Sequence, residues 1–143
     1  MTPFKPGATW AFVLGIEGEP NQPTPSATLL VVCLCAAWCG VCTEYRSRFE
    51  QVHATIKAEY PLAQFVWLDV EDEADLLHPL DVDDFPTLLI AKDQVPLFFG
   101  PLTPQAQTLE RLVRNAALAA MAPVPDPSVH AAVVRIQASK LLA

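Results

Sequence analysis

The chain has 143 residues, 52% of them hydrophobic and 17% charged. That length and balance fit one globular domain with its own core and exclude a disordered chain. The net charge is −7, with only nine Lys plus Arg. A nucleic-acid partner is therefore not expected, because phosphate contacts need a basic face, and an anionic membrane surface offers no attraction.

The first residues carry one early positive charge, Lys5, and two early prolines, and the apolar stretch Trp10–Ile16 runs into Glu17-Gly18-Glu19-Pro20. No small-residue cleavage pattern follows, so a signal peptide is not expected and the expected compartment is the cytoplasm. Trp10–Leu14 is a candidate edge strand, and residues 17–26, rich in proline and polar residues, are a loop. The apolar run from Ala27 to Cys39 is too short to span a bilayer. Within it, Thr28–Ala36 is apolar on both faces, the pattern of a central strand covered on both sides.

Trp38–Tyr60 reads as a turn and then a helix: Tyr45, Phe49, Val52 and Ile56 fall on one helical face, and Pro61 stops it. Gln64–Val70 is a second strand. The acidic segment Glu71–Asp75 leads into Leu76, Leu77 and Leu80, a short helix; its spacing lacks a calcium-loop pattern, so it reads as a solvated charge run. Thr87–Ala91 and Val95–Phe99, joined by a polar turn, read as a hairpin, and Pro96 puts the return strand at a sheet edge. Thr103 and Pro104 read as the cap and first position of a helix with the stripe Leu109, Leu112, Val113, Ala116, Ala117 and Ala120, ended by Pro123, Pro125 and Pro127. Ser128 reads as the cap of a last amphipathic helix carrying Val129, Val133 and Ile136, expected to pack back on the domain, with a partner-binding helix as the alternative.

All four cysteines lie within ten residues: Cys33, Cys35, Cys39 and Cys42. Such a cluster cannot staple distant parts of a fold, so it points to redox chemistry or metal binding. Cys39-Gly40-Val41-Cys42 falls where a buried strand meets a helix. The first cysteine then sits at the helix N-terminus, where unpaired N–H groups and the helix dipole favour a thiolate. The second lies one turn further in, close enough to form a disulfide and resolve a mixed one. Structural zinc sites use the same spacing, so the motif alone leaves both readings open. Cys33 and Cys35 are read as inert core thiols on opposite faces of their strand, with a redox or metal role as the alternative.

In its strand-to-helix setting, Trp38-Cys39-Gly40-Val41-Cys42 resembles the Trp-Cys-Gly-Pro-Cys stretch of the thioredoxin family. Phe85-Pro86-Thr87 resembles the family's Ile-Pro-Thr, whose proline is cis and faces the disulfide. Val82, Asp69 and Gly100 resemble, respectively, the hydrophobic residue four before that proline, the acidic residue ending the next strand, and the glycine after the hairpin near the substrate groove. The resemblance covers about residues 28–121. It departs at Val41 (for proline), Thr43 (for a basic residue), Ser47 (for a helix-kinking proline), Cys33 (for a buried aspartate) and Cys35 (for tryptophan). The N-terminal region is too short for the family's usual first helix, and the tail after Ala122 is extra.

The resemblance implies an α/β thioredoxin-like fold, a central mixed sheet flanked by helices. It implies an N-terminal extension over 1–27, a thioredoxin-like core over 28–122, and a Pro-rich linker with a C-terminal helix over 123–143. The implied activity is protein-disulfide oxidoreduction, serving cell redox homeostasis. Cys39 attacks, Cys42 resolves and forms the redox disulfide with Cys39, and Trp38, Phe85 and Pro86 hold the substrate chain. Neither metal nor organic cofactor is implied. The partners are disulfide-containing proteins and an external electron donor such as a thioredoxin reductase or glutathione. A thiolate metal-binding protein and a non-redox interaction module are the alternatives. His53, His78 and His130 read as surface or helix-end histidines. Asp83 and Asp84 are either solvated turn residues or a negative edge to the groove.

Overall fold

A computed structural model describes residues 28–103 and 105–139. The candidate strand at Trp10–Leu14 and the residue Pro104 lie outside the described residues. The element order is β1 (Leu29–Cys35), α1 (Gly40–Glu59), β2 (Gln64–Asp69), α2 (Ala74–Leu77), β3 (Thr87–Lys92), β4 (Val95–Pro101), α3 (Ala106–Ala117) and α4 (Pro127–Gln137). The four strands form one mixed sheet in the order β2-β1-β3-β4. β1 runs parallel to β2 and antiparallel to β3, and β4 is an antiparallel edge strand. Every residue of β1 is buried, as a strand between two neighbours and two helical layers must be.

Strand alternation sorts the core into two layers. Leu29, Val31, Cys33 and Cys35 of β1, with Leu88 and Ile90 of β3, face α1 and α3. From α1 they meet Cys42, Tyr45, Phe49, Val52 and Ile56, one stripe of that helix. Leu30, Val32 and Leu34 point the other way, with Val66, Leu68 and Leu89, onto Leu77 of α2 and Val129, Val133 and Ile136 of α4. Cys33 and Cys35 therefore share a face. The expectation of opposite faces fails because residues two apart in a strand are in phase with its two-residue period.

The ends of the helices differ from the sequence reading. α3 starts at Ala106 with Gln105 as its N-cap residue, so Thr103 does not cap it; the Gln105 N–H instead donates to the Thr103 carbonyl at 2.8 Å. α3 also stops at Ala117, well before the prolines, where Ala119 turns left-handed (φ 54°). Ala120 therefore lies beyond the helix and is exposed. α4 is capped by Asp126, whose Oδ1 accepts the Ser128 N–H at 2.8 Å, with Pro127 in its first turn. Ser128 is inside the helix and is not the cap. In the β3–β4 hairpin, Asp93 (φ 50°) and Gln94 (φ 73°) both adopt the left-handed conformation that a two-residue turn of matching twist requires.

Candidate active site at the β1–α1 junction

The site is built where β1 ends and α1 begins. Ala36 accepts the Cys39 N–H at 3.0 Å, closing the turn that delivers the chain into the helix. Cys39 is the N-cap residue of α1, partly exposed, with a free thiol. Its carbonyl receives the Thr43 N–H at 3.2 Å and the Thr43 hydroxyl at 3.3 Å. Val41 is 45% exposed beside it. Cys42 begins the buried stripe of α1 and is 2% exposed.

Cys42 is bonded to Cys35, across the junction, with Cα atoms 6.0 Å apart, inside the range a disulfide spans. The structure thus departs from the expected Cys39–Cys42 pairing. The physical reason lies in the two periodicities. Cys35 ends β1 pointing toward α1, and Cys42 is the first residue of the α1 stripe that faces β1. The thiol of Cys33 lies 3.4 Å from the sulfur of Cys35, so three sulfurs are in contact beneath the helix start. Burial pushes the Cys33 thiol up to about 12, only partly opposed by the charge of Arg46, and the group stays neutral. The sequence reading makes Cys35 inert, yet its even spacing to Cys33 puts both on one face, toward α1.

Trp38 is 69% exposed and stands over the site. Its ring meets Phe85 edge-on at 5.6 Å, and its Nε1 donates to Glu71 Oε2 at 3.3 Å. Phe85 is half-buried and Pro86 buried, and the peptide bond between them is cis, as is His78–Pro79. Gly100 pairs with Leu88 on the edge strand, two residues beyond Pro86. Asp69 is a turn-former: its Oδ1 accepts the N–H groups of Glu71 and Asp72 at 2.8 and 3.0 Å. Cys42 also touches the floor of a depression lined by Ala37, Thr43, Arg46, Trp67 and Asp69. Asp83 and Asp84 are exposed just before Phe85.

The histidines stand apart from this chemistry. His53 stacks on Phe65 at 4.7 Å and is held below the usual histidine range, chiefly by burial. His130 Nε2 pairs with the Val124 carbonyl at 2.7 Å. The His78 carbonyl accepts from Arg135. Among the described residues, no group of three or more His, Cys, Asp or Glu side chains is arranged to hold a metal ion.

A mixed sheet with helices on both faces, carrying a cysteine pair at a strand-to-helix junction and an X-Pro bond in cis before β3, defines a thioredoxin-like α/β protein. The thioredoxin family model matches residues 21–113. The chain belongs to that family. It is 35% identical over 65 residues to thioredoxin-1 of Saccharomyces cerevisiae, covering 46% of this chain and 59% of that protein. It is 33% identical over 57 residues to protein disulfide-isomerase A4 of Bos taurus, covering 40% of this chain and 9% of that protein. The matched regions thus span less than two thirds of either relative. Among solved structures, human ERp44 superposes with a TM-score of 0.55 at 20% identity, over 64% of this chain and 25% of that one. Fasciola hepatica thioredoxin gives 0.52 at 22%, over 64% and 84%. These superpositions show the shared fold.

Proposed function

We propose that the protein is a thiol–disulfide oxidoreductase acting on protein disulfides, with Cys39 as nucleophile and Cys42 as resolving thiol. The observation that carries this reading is a partly exposed free thiol at the N-cap of α1, three residues from a buried cysteine already engaged in a disulfide. The Cys39 thiolate, at the N-cap of α1, attacks a substrate disulfide and forms a mixed disulfide. With the Cys35–Cys42 bond opened by the external thiol donor, Cys42 then attacks the Cys39 sulfur, releasing the substrate thiol and leaving a Cys39–Cys42 disulfide. The exposed apolar surface of Trp38, Val41 and Phe85 supplies a platform for the substrate chain. An external thiol donor, such as glutathione or a thioredoxin reductase, closes the cycle. Among the described residues, no helix is long and apolar enough to cross a membrane.

Insulin reduction in the presence of dithiothreitol tests the proposal. The wild-type chain should accelerate it, and Cys39→Ser should cost at least about a hundredfold in kcat/KM, roughly 3 kcal/mol. Cys42→Ser should keep the attack and accumulate substrate-linked protein through Cys39. A wild-type chain that leaves the insulin rate at the dithiothreitol background would reject the reading.

A further inference from the structure

Cys35 is foreign to a two-cysteine cycle, yet it holds the disulfide. It is 1% exposed, Cys42 2% and Cys33 0%, so the Cys35–Cys42 bond lies beneath the protein surface. Cys42 can bond either Cys35, to which it is joined here, or Cys39, which precedes it by one helical turn. We propose that Cys35 is a third redox-active thiol, and that internal exchange at Cys42 moves the disulfide between Cys39–Cys42 at the surface and Cys35–Cys42 in the core. This rests on the reading of Cys39 and Cys42 as the working dithiol.

The step balances without any added reagent. After a substrate disulfide has been reduced, the enzyme holds Cys39–Cys42. The Cys35 thiol loses its proton to solvent at the depression that reaches Cys42, and its sulfur attacks the Cys42 sulfur. The Cys35–Cys42 bond forms, the Cys39–Cys42 bond breaks, and Cys39 leaves as a thiolate at the partly exposed N-cap of α1. No electrons enter or leave; the original oxidant is the substrate disulfide. Cys33 is placed to assist, since its sulfur lies 3.4 Å from that of Cys35. Its neutral S–H is a donor, though a weak one, to a Cys35 thiolate.

The consequence is a second oxidised form with different chemistry. With Cys35–Cys42 closed, Cys39 is a single nucleophilic thiol without a resolving partner. It can still attack a substrate disulfide, but a thiol of the substrate or of the donor must then release it. That form by itself exchanges disulfides, and reduces them only at the expense of donor thiols. Return to the dithiol form runs through Cys39: its thiolate attacks the Cys42 sulfur, the Cys35–Cys42 bond breaks with Cys35 taking back a proton, and the external thiol donor then reduces the Cys39–Cys42 bond.

Disulfide mapping of the full wild-type chain reads this directly. Samples equilibrated across a glutathione redox series are alkylated, and then digested with chymotrypsin, which cuts after Trp38 and Tyr45. A Cys35–Cys42 bond links the peptide ending at Trp38 to the peptide beginning at Cys39, with Cys39 alkylated. A Cys39–Cys42 bond stays inside the latter peptide. The expected result is the linked pair at the oxidising end of the series, with the internal bond also present at intermediate poise. Cys39–Cys42 alone at every poise would overturn the proposal. Cys39→Ser should retain Cys35–Cys42 and open it with glutathione about tenfold or more slowly than wild type, since the direct route is buried. Equal opening rates would mean that glutathione reaches Cys42 through the depression beside Arg46, and the relay through Cys39 would be rejected. Cys35→Ala, and Cys35→Val as a larger replacement, should leave only the Cys39–Cys42 bond. Insulin turnover in these variants reports separately on the proposed function: its retention with the linked pair absent from wild type would sink the relay alone.

Discussion

At the scale of single residues, the buried thiol of Cys33 is the most informative departure. It sits where the family's resemblance implies an aspartate, facing Tyr45 within the α1-side core. The Tyr45 hydroxyl is buried without a hydrogen-bond partner among the described residues and is pushed upward by burial first and by Cys33 second. Cys33→Asp would introduce a carboxylate among apolar side chains, and should lower stability by about 2–4 kcal/mol in urea unfolding. An unchanged midpoint would show that the Tyr45 hydroxyl satisfies it. The alkaline limb of stability follows from the same two groups. Folding raises the Cys33 thiol from 9.0 to about 12, so the folded chain keeps a proton that the unfolded chain releases. The stabilisation is complete below the unfolded value and is lost as pH rises from there through the folded one. Unfolding free energy should therefore fall above about pH 9, and Cys33→Ala should flatten that fall. A parallel slope in the variant would assign the loss to Tyr45, whose shift has the same sign. Of the residues that the sequence singles out, Cys39 and Cys42 lie at the strand-to-helix junction and Trp38 meets Phe85 edge-on. The sequence reading misses the pairing of Cys35 because it puts Cys35 on the face opposite to Cys33. A motif names which cysteines are close in sequence, while the bond follows which of them face one another across β1 and α1.

At the scale of elements, order and type were legible from periodicity: the continuous apolar run of β1, the stripe of α1 and the Pro96 edge strand all stand as read. Helix ends were less legible, because Thr103 and Ser128 have the right chemistry one turn or less from the true caps. The last helix packs back on the domain, as its amphipathic pattern implies: Val129, Val133 and Ile136 are fully buried on the sheet face opposite α1. Its linker is tied down by Val124 N–H to the Pro96 carbonyl at 2.9 Å. Arg135 binds the helix to the end of α2, donating to the carbonyls of Leu76 and His78 at 2.9 and 2.6 Å. The helix thus covers Leu30, Val32 and Leu34, which would otherwise face water. Ile136→Ala should cost about 2–4 kcal/mol, as for a large-to-small change in any packed core. Val134→Ala, on the exposed side of the same helix, should change stability by less than about 0.5 kcal/mol. Comparable losses at the two positions would show that α4 does not hold this face. Glu59 and Arg114 join α1 to α3 through two hydrogen bonds, but both are exposed, so breaking them should cost no more than about 1 kcal/mol.

At the scale of the whole molecule, charge is distributed unevenly around the site. The chain carries −7 overall, and two of its acidic segments flank the apolar platform. Glu71 accepts the Trp38 indole N–H, with Asp72 next to it, while Asp83 and Asp84 precede Phe85. These four carboxylates are exposed, so they act through the solvent and their influence fades over a Debye length. The field they set up attracts cationic segments toward Cys39 and repels anionic ones, which changes encounter rates more than the chemistry after contact. Disulfide exchange with a Lys- and Arg-rich substrate peptide should therefore fall several-fold in kcat/KM between about 20 mM and about 200 mM salt. An Asp- and Glu-rich peptide of the same length and disulfide should speed up over that range. The double variant Asp83→Asn with Asp84→Asn should reduce both slopes while leaving the alkylation rate of Cys39 by a neutral reagent unchanged. The neutral reagent matters because it senses the thiol itself and not the approach of a charged chain. If both peptides respond to salt in the same direction, the effect belongs to the ionic atmosphere of the peptides, and the acidic rim does not select substrates.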